Sequence, residues 1–295
     1  MSFRSSGRSG FPPPRGAGIL LVLLLGLTAC RGPEPAATGE PSPTAVTMLE
    51  QQLLEVIELE KRLDAAAAVE DADYREVQRQ FETVAQLYRG IIARNPDSLE
   101  ARLLFGKLLS RYGDREGARD QFLMAAKIDP AVAVIHQQLS NYYAEEEDFT
   151  RALAYALNAV RLQPDVAAYH FGLGQVLAAF KPRFIEEGVF TADQVDQQML
   201  DAFRTAMELE PDSIELKFRY GEAFYDTAST DWELALAHWK ALEENPDLSP
   251  TQLDAVFLHQ ARCLAELGQL EEARRTALRV STPEFRGSAE ALFGK

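Results

Sequence analysis

Apolar positions in this chain recur every three to four residues in blocks of roughly twelve to fourteen, the spacing that lays one stripe along an α-helix. Proline punctuates the blocks: Pro96, Pro130 and Pro164 stand 34 residues apart, Pro211 follows after 47 and Pro246 after 35. Ala125, Ala159, Ala206 and Ala241 each stand five residues before a proline, and an acidic residue follows Pro96, Pro164, Pro211 and Pro246. Within each period the pattern predicts two helices. The first carries a small residue in mid-helix (Gly106, Ser140, Gly174, Gly221 or Ala261), where a neighbour must approach closely. Phe105, Leu139, Leu173 and Tyr220 precede that notch by one residue, and Leu109, Tyr143, Leu177, Phe224 and Leu264 follow it by three. The second helix carries Ala118 or Ala152 as its small residue and Phe122 or Phe203 as its bulky one. Proline ends it, because the ring fixes φ and supplies no N–H to the ladder. Gly113 and Gly268 mark turns between paired helices.

A 34-residue period of paired helices resembles the tetratricopeptide-repeat (TPR) family. The resemblance implies an all-α solenoid of about five to six repeats over residues 99–281, with residues 47–98 as N-terminal helices that cap it or form a degenerate repeat, and residues 282–295 as a tail. Leu49, Leu53, Val56, Leu59 and Leu63 form the stripe expected of the first N-terminal helix. The family's tryptophan near the start of each first helix is replaced by Arg102, His136, His170, Lys217 and Phe257. One period is 13 residues too long, so an insertion near 180–192 is expected to interrupt the turn between paired helices; Phe184, Ile185, Val189 and Phe190 make it a candidate partner-binding protrusion. Thr191 with Gln194 reads as a capping box restarting the second helix.

The first 46 residues follow a different logic. Arg4, Arg8 and Arg15 precede an uncharged, largely apolar stretch from Gly16 to Ala29, shorter than a bilayer-spanning helix requires. Leu27-Thr28-Ala29-Cys30 at its end resembles the lipobox of bacterial lipoproteins. That resemblance implies cleavage after residue 29 and an acylated Cys30 as the first mature residue, held in the lipid bilayer. Arg31, where an aspartate would favour the inner membrane, implies the periplasmic face of the outer membrane, or the cell surface in a single-membraned host. Residues 30–46 hold Pro33, Pro35, Pro41 and Pro43 and read as a flexible tether.

The charge of −15, which becomes −18 when the three arginines of residues 1–29 are removed, repels phosphate backbones and argues against nucleic acid as a partner. Neither HExxH, GxSxG nor a P-loop occurs, so the reading is of a binding protein and not an enzyme, with no cofactor. His136 and His170 lie 34 apart at one repeat position, which explains them without a metal. Cys263 sits in an apolar stripe as a packing residue.

What the TPR resemblance implies about function is a groove lined by the first helices, with Lys107, Gln137, Asn141, Phe171, Gln175, Phe218, Tyr225 and Arg262 facing a partner. Amides suit the backbone of an extended peptide and rings suit its apolar side chains. The expected partner is an envelope protein or a peptide segment of one, localised by a membrane-anchored scaffold. The alternative is a pilotin-like or outer-membrane assembly-machine structural lipoprotein.

Overall fold

The computed structural model describes residues 47–282 together with 285 and 287; the predicted signal segment, Cys30, the tether and most of the expected tail lie outside the described residues. Twelve α-helices and one short 3₁₀ turn account for the described fold, without a strand. They divide into two compact units that meet in sequence at Pro130.

The first unit holds α1 (Met48–Ala67), α2 (Tyr74–Arg94), α3 (Leu99–Arg111) and α4 (Arg115–Ile128). The second holds α5 (Ala133–Glu145), α6 (Phe149–Leu162), α7 (Ala167–Glu186), α8 (Ala192–Leu209), α9 (Ile214–Ala223), α10 (Trp232–Glu243), α11 (Pro250–Glu266) and α12 (Leu270–Ala277). The 3₁₀ turn, Phe224–Asp226, follows α9.

The mid-helix notches are filled by rings rather than by helix backbone. A methyl group on Gly106 would lie 2.6 Å from Phe122, one on Gly174 2.7 Å from Phe203, and one on Gly221 2.4 Å from Trp239. Phe122, Phe203 and Trp239 are each 2% exposed or less, so the absence of a Cβ on the first helix makes the space for the second helix's largest side chain. Ser140 is the variation: its hydroxyl donates to the Ala152 carbonyl at 2.9 Å, tying α5 to α6.

Four of the turns inside the pairs share one device. Gly113, Gly188 and Gly268 adopt positive φ, and so does Glu147 at 58°. In each the next N–H reaches back to the helix, as Asp114 to the Leu109 carbonyl, Asp148 to Tyr143, Val189 to Phe184 and Gln269 to Leu264. Asp114 and Asp148 then cap the helices that follow, as Asp231 caps α10 after its different connection. Between pairs, the helices end one residue before Pro96, Pro130, Pro164 and Pro211, at their C-cap residues. Arg102 and His170, at the position where the family has tryptophan, bond the carbonyls of Pro96 (3.0 and 2.8 Å) and Pro164 (2.8 Å).

Two expectations are revised. The extra 13 residues do not form an interrupting loop. Seven extend α7 to 20 residues and four extend α8 to 18, against 13 and 14 in the pair α5 and α6, leaving only a longer turn. Helix α7 runs through Pro182, whose ring costs one ladder bond. The cost is offset by packing: Phe184 is fully buried against Phe149 and Phe190 at ring distances of 5.3 and 5.6 Å. Of the four large apolar residues of the supposed protrusion, only Ile185 and Val189 are exposed. Thr191 and Gln194 do form the capping box. Lys181 on the extension ion-pairs with Asp196 on α8 and donates to the Asp226 carbonyl at 2.7 Å. Asp196 also accepts the Ala228 N–H at 2.6 Å, so the longer helix pair holds the loop after α9.

The second revision is in α1, whose buried stripe is Leu53, Val56, Ile57, Glu60 and Leu63, with Leu49 and Leu59 only half-buried. Glu60 lies inside because it accepts the Tyr88 hydroxyl and pairs with Arg111 at 3.5 Å, while Arg111 and Tyr112 reach Asp64.

Gly221→Ala tests the notch. Alanine gains about 1 kcal/mol of helix propensity, but the clash with a ring that cannot move outweighs it. The variant is expected to lose about 1–3 kcal/mol by urea denaturation, and unchanged or raised stability would contradict the packing described. Glu147→Gly is expected in the same assay to gain about 1 kcal/mol, by removing a side chain from a left-handed position.

Candidate functional site

The eight residues predicted to line a groove fall in both units. Lys107 belongs to the first and the other seven to the second.

Lys107 stands one turn before Arg111 on α3 and is half-buried. Burial, reinforced by the Arg111 charge, lowers its ammonium to about 8, with the Glu60 carboxylate opposing the shift. Burial raises Glu60 in turn, against its hydrogen bond from Tyr88 and the charge of Arg111. Lys107 is therefore tied to an internal polar network as much as to a ligand-facing surface.

In the second unit, the Gln137 amide donates to Asn141 at 2.8 Å and lies against Gly172, where a methyl group would come within 2.6 Å of it. Asn141 is exposed. Phe171 is half-buried edge-on to Phe203, ring centroids 5.8 Å apart. Gln175 is exposed at a shallow groove of about 540 Å³ lined by Ala178, Lys181, Pro182, Arg219 and Asp226. Most of that lining comes from the extension of α7 and the chain around α9, so the insertion widens this face.

Phe218, Tyr225 and Arg262 come together around a residue the sequence reading passed over. The imidazole of His259 is stacked on Trp239 (4.1 Å, 7°), with Tyr225 near-parallel at 5.6 Å (20°) and Phe218 edge-on at 6.4 Å. Tyr225 Oη lies 3.1 Å from His259 Nδ1 and 3.8 Å from Cys263 Sγ. Arg262 lies flat over Tyr225 at 4.0 Å and reaches Trp232 at 5.8 Å.

Burial, and secondarily the Arg262 charge, lowers His259 to about 4, so the ring is neutral at physiological pH. Burial keeps the Tyr225 hydroxyl protonated. Nδ1 is its nearer and better acceptor, so Tyr225 donates there and the imidazole proton sits on Nε2. The cluster presents one fixed cation and one neutral donor beside half-buried rings. Trp239 carried a faint signal, since Ala235 and Trp239 repeat the Ala118 and Phe122 spacing; no repeat register marked Trp232 or His259. Among the described residues no group of three His, Cys, Asp or Glu side chains could hold a metal.

Lys107→Met is expected to raise the melting temperature at pH 7. A folded-state value near 8 against about 10.5 unfolded means the charged amine opposes folding at neutral pH, and the opposition fades as pH rises from 8 toward 10.5. The variant's advantage should shrink over that window; a constant difference across it would show that the amine is not desolvated.

No family model and no curated protein matches this sequence. Solved structures do. YrrB, described as a TPR protein with an unusual peptide-binding site, is 18% identical with a TM-score of 0.54, covering 72% of this chain and 94% of its own. Pseudomonas aeruginosa PilF is 12% identical with a TM-score of 0.52, covering 78% and 89%. MamA from Desulfovibrio magneticus RS-1 is 15% identical with a TM-score of 0.50, covering 69% and 100%. At these identities the likeness is one of fold: this chain has the all-α, helix-pair repeat fold of TPR proteins.

Proposed function

We propose that this protein is a lipid-anchored scaffold of the bacterial cell envelope, whose first-helix face in the second unit holds an extended segment of a partner protein. The observation that carries the reading is the division of labour along the first helices. Leu139, Leu177, Phe224 and Leu264 are fully buried, while Asn141, Gln175 and Arg262 on the same helices stay exposed and Phe218 and Tyr225 half-exposed. Amides at one end and rings with a cation at the other offer hydrogen bonds to a peptide backbone and cover for its apolar side chains. The peptide-binding site for which YrrB is described supports this use of the fold. The anchor rests on Leu27-Thr28-Ala29-Cys30; among the described residues no helix is long and apolar enough to cross a membrane.

Cys30→Ser is expected to abolish incorporation of labelled palmitate and to move the protein from the membrane to the soluble fraction; a wild-type chain that takes up no label would overturn the anchor. For the binding face, peptides selected from a random display library on the soluble Cys30→Ser chain should bind at least roughly tenfold more weakly after Asn141→Ala with Gln175→Ala. They should be unaffected by Arg204→Ala on α8, and equal binding by all three proteins would remove the face from the function.

A further inference from the structure

Arg151, Arg183, Arg219 and Arg279 of the second unit each lie over an aromatic ring, respectively Tyr143 at 4.2 Å, Phe149 at 4.8 Å, Phe203 at 4.2 Å and Phe257 at 3.9 Å. Each also ion-pairs with a carboxylate: Asp148, Glu187, Asp226 and Glu243 in turn. Stacking fixes the plane of the guanidinium, and its edge then meets the acid. Arg262 repeats the first half of this arrangement, lying over Tyr225 at 4.0 Å. It lacks the second half: no carboxylate lies within ion-pair distance of it among the described residues, although Glu266 is one turn further along α11. The guanidinium is exposed, in a protein whose net charge is −15.

A second donor stands beside it. His259 precedes Arg262 by one turn on the same helix, and Tyr225, donating to Nδ1, leaves the imidazole proton on Nε2. Half-buried Phe218 and Trp232 flank the pair with apolar surface. Two neighbouring donors that lack an acceptor are the complement of a carboxylate, and their packing against rings means little ordering is required when one arrives.

Resting on the reading of this face as a peptide-binding surface, we infer that Arg262 with His259 forms a subsite for the side-chain carboxylate of an aspartate or glutamate in the partner segment, with an apolar residue of that segment held by Phe218 and Trp232. In an extended chain, side chains two positions apart share a face and stand about 7 Å apart, so the motif is an apolar or aromatic residue, any residue, then an acid.

The test is a random octapeptide display library, with amidated C-termini in the follow-up peptides, selected in parallel on the soluble Cys30→Ser chain and on the same chain carrying Arg262→Met. Arg262 is exposed, so the variant should melt at nearly the same temperature as its parent, which is measured alongside. The expected result is that the parent enriches one acidic residue two positions from an apolar one, and that the variant keeps the apolar preference and loses the acidic one. Replacing the acid by its amide in a selected peptide should weaken binding to the parent by roughly tenfold or more and leave binding to the variant unchanged. Selected peptides without an acidic preference, or with the same preference in the variant, would overturn the subsite while leaving the binding face intact. Binding that depends only on a free C-terminal carboxylate would overturn the side-chain assignment, and enrichment of no peptide by either protein would overturn the binding face itself.

Discussion

A ring seated in a notch without a side chain sets the geometry of three of the helix pairs. Phe122 in Gly106, Phe203 in Gly174 and Trp239 in Gly221 each bring a second helix against a first at a distance that a single methyl group would forbid. The last of these contacts also reaches the candidate site. Trp239 fills the notch of α9 and stacks on His259 of α11, which in turn stacks on Tyr225 beneath Arg262. The groups of the candidate site therefore inherit their positions from the core, and a cluster built this way is ordered in advance of any ligand.

The same economy governs the long helix pair. An insertion is tolerated at the turn between paired helices because nothing in the notch packing depends on how far the helices continue past it. Here the added turns are secured by Phe184 in the core and by Lys181 and Asp196 across the pair. These last two groups are almost wholly withdrawn from water, so each requires the other. Their further bonds to the Asp226 carbonyl and the Ala228 N–H fasten the loop that carries the chain from α9 toward Trp232.

The repeat was legible in the sequence because proline and glycine act locally. Proline at intervals of 34 ends helices whatever surrounds it, and the small residues of the first helices stand in the same register. What was hidden depended on tertiary contact. Pro182 argues for a break, yet the helix continues because Phe184 has a core to enter. Glu60 sits where an apolar stripe would predict leucine, since only the fold brings Tyr88 and Arg111 to it. Glu147 occupies a position that glycine fills in the corresponding turns, so pattern alone did not mark its backbone. Of the residues expected to line a groove, Phe218, Tyr225 and Arg262 form one cluster, but His259 at its centre left no mark in the sequence: its place there comes from the rings that pack against it and not from its own helix.

That core packing organises the proposed binding face is most directly tested by following the His259 imidazole by NMR as pH is lowered. A ring buried against Trp239 and Tyr225 and beside Arg262 should stay neutral until about pH 4. A midpoint near the ordinary value of about 6.5 would show that the stack is open and that the face is not built from the core.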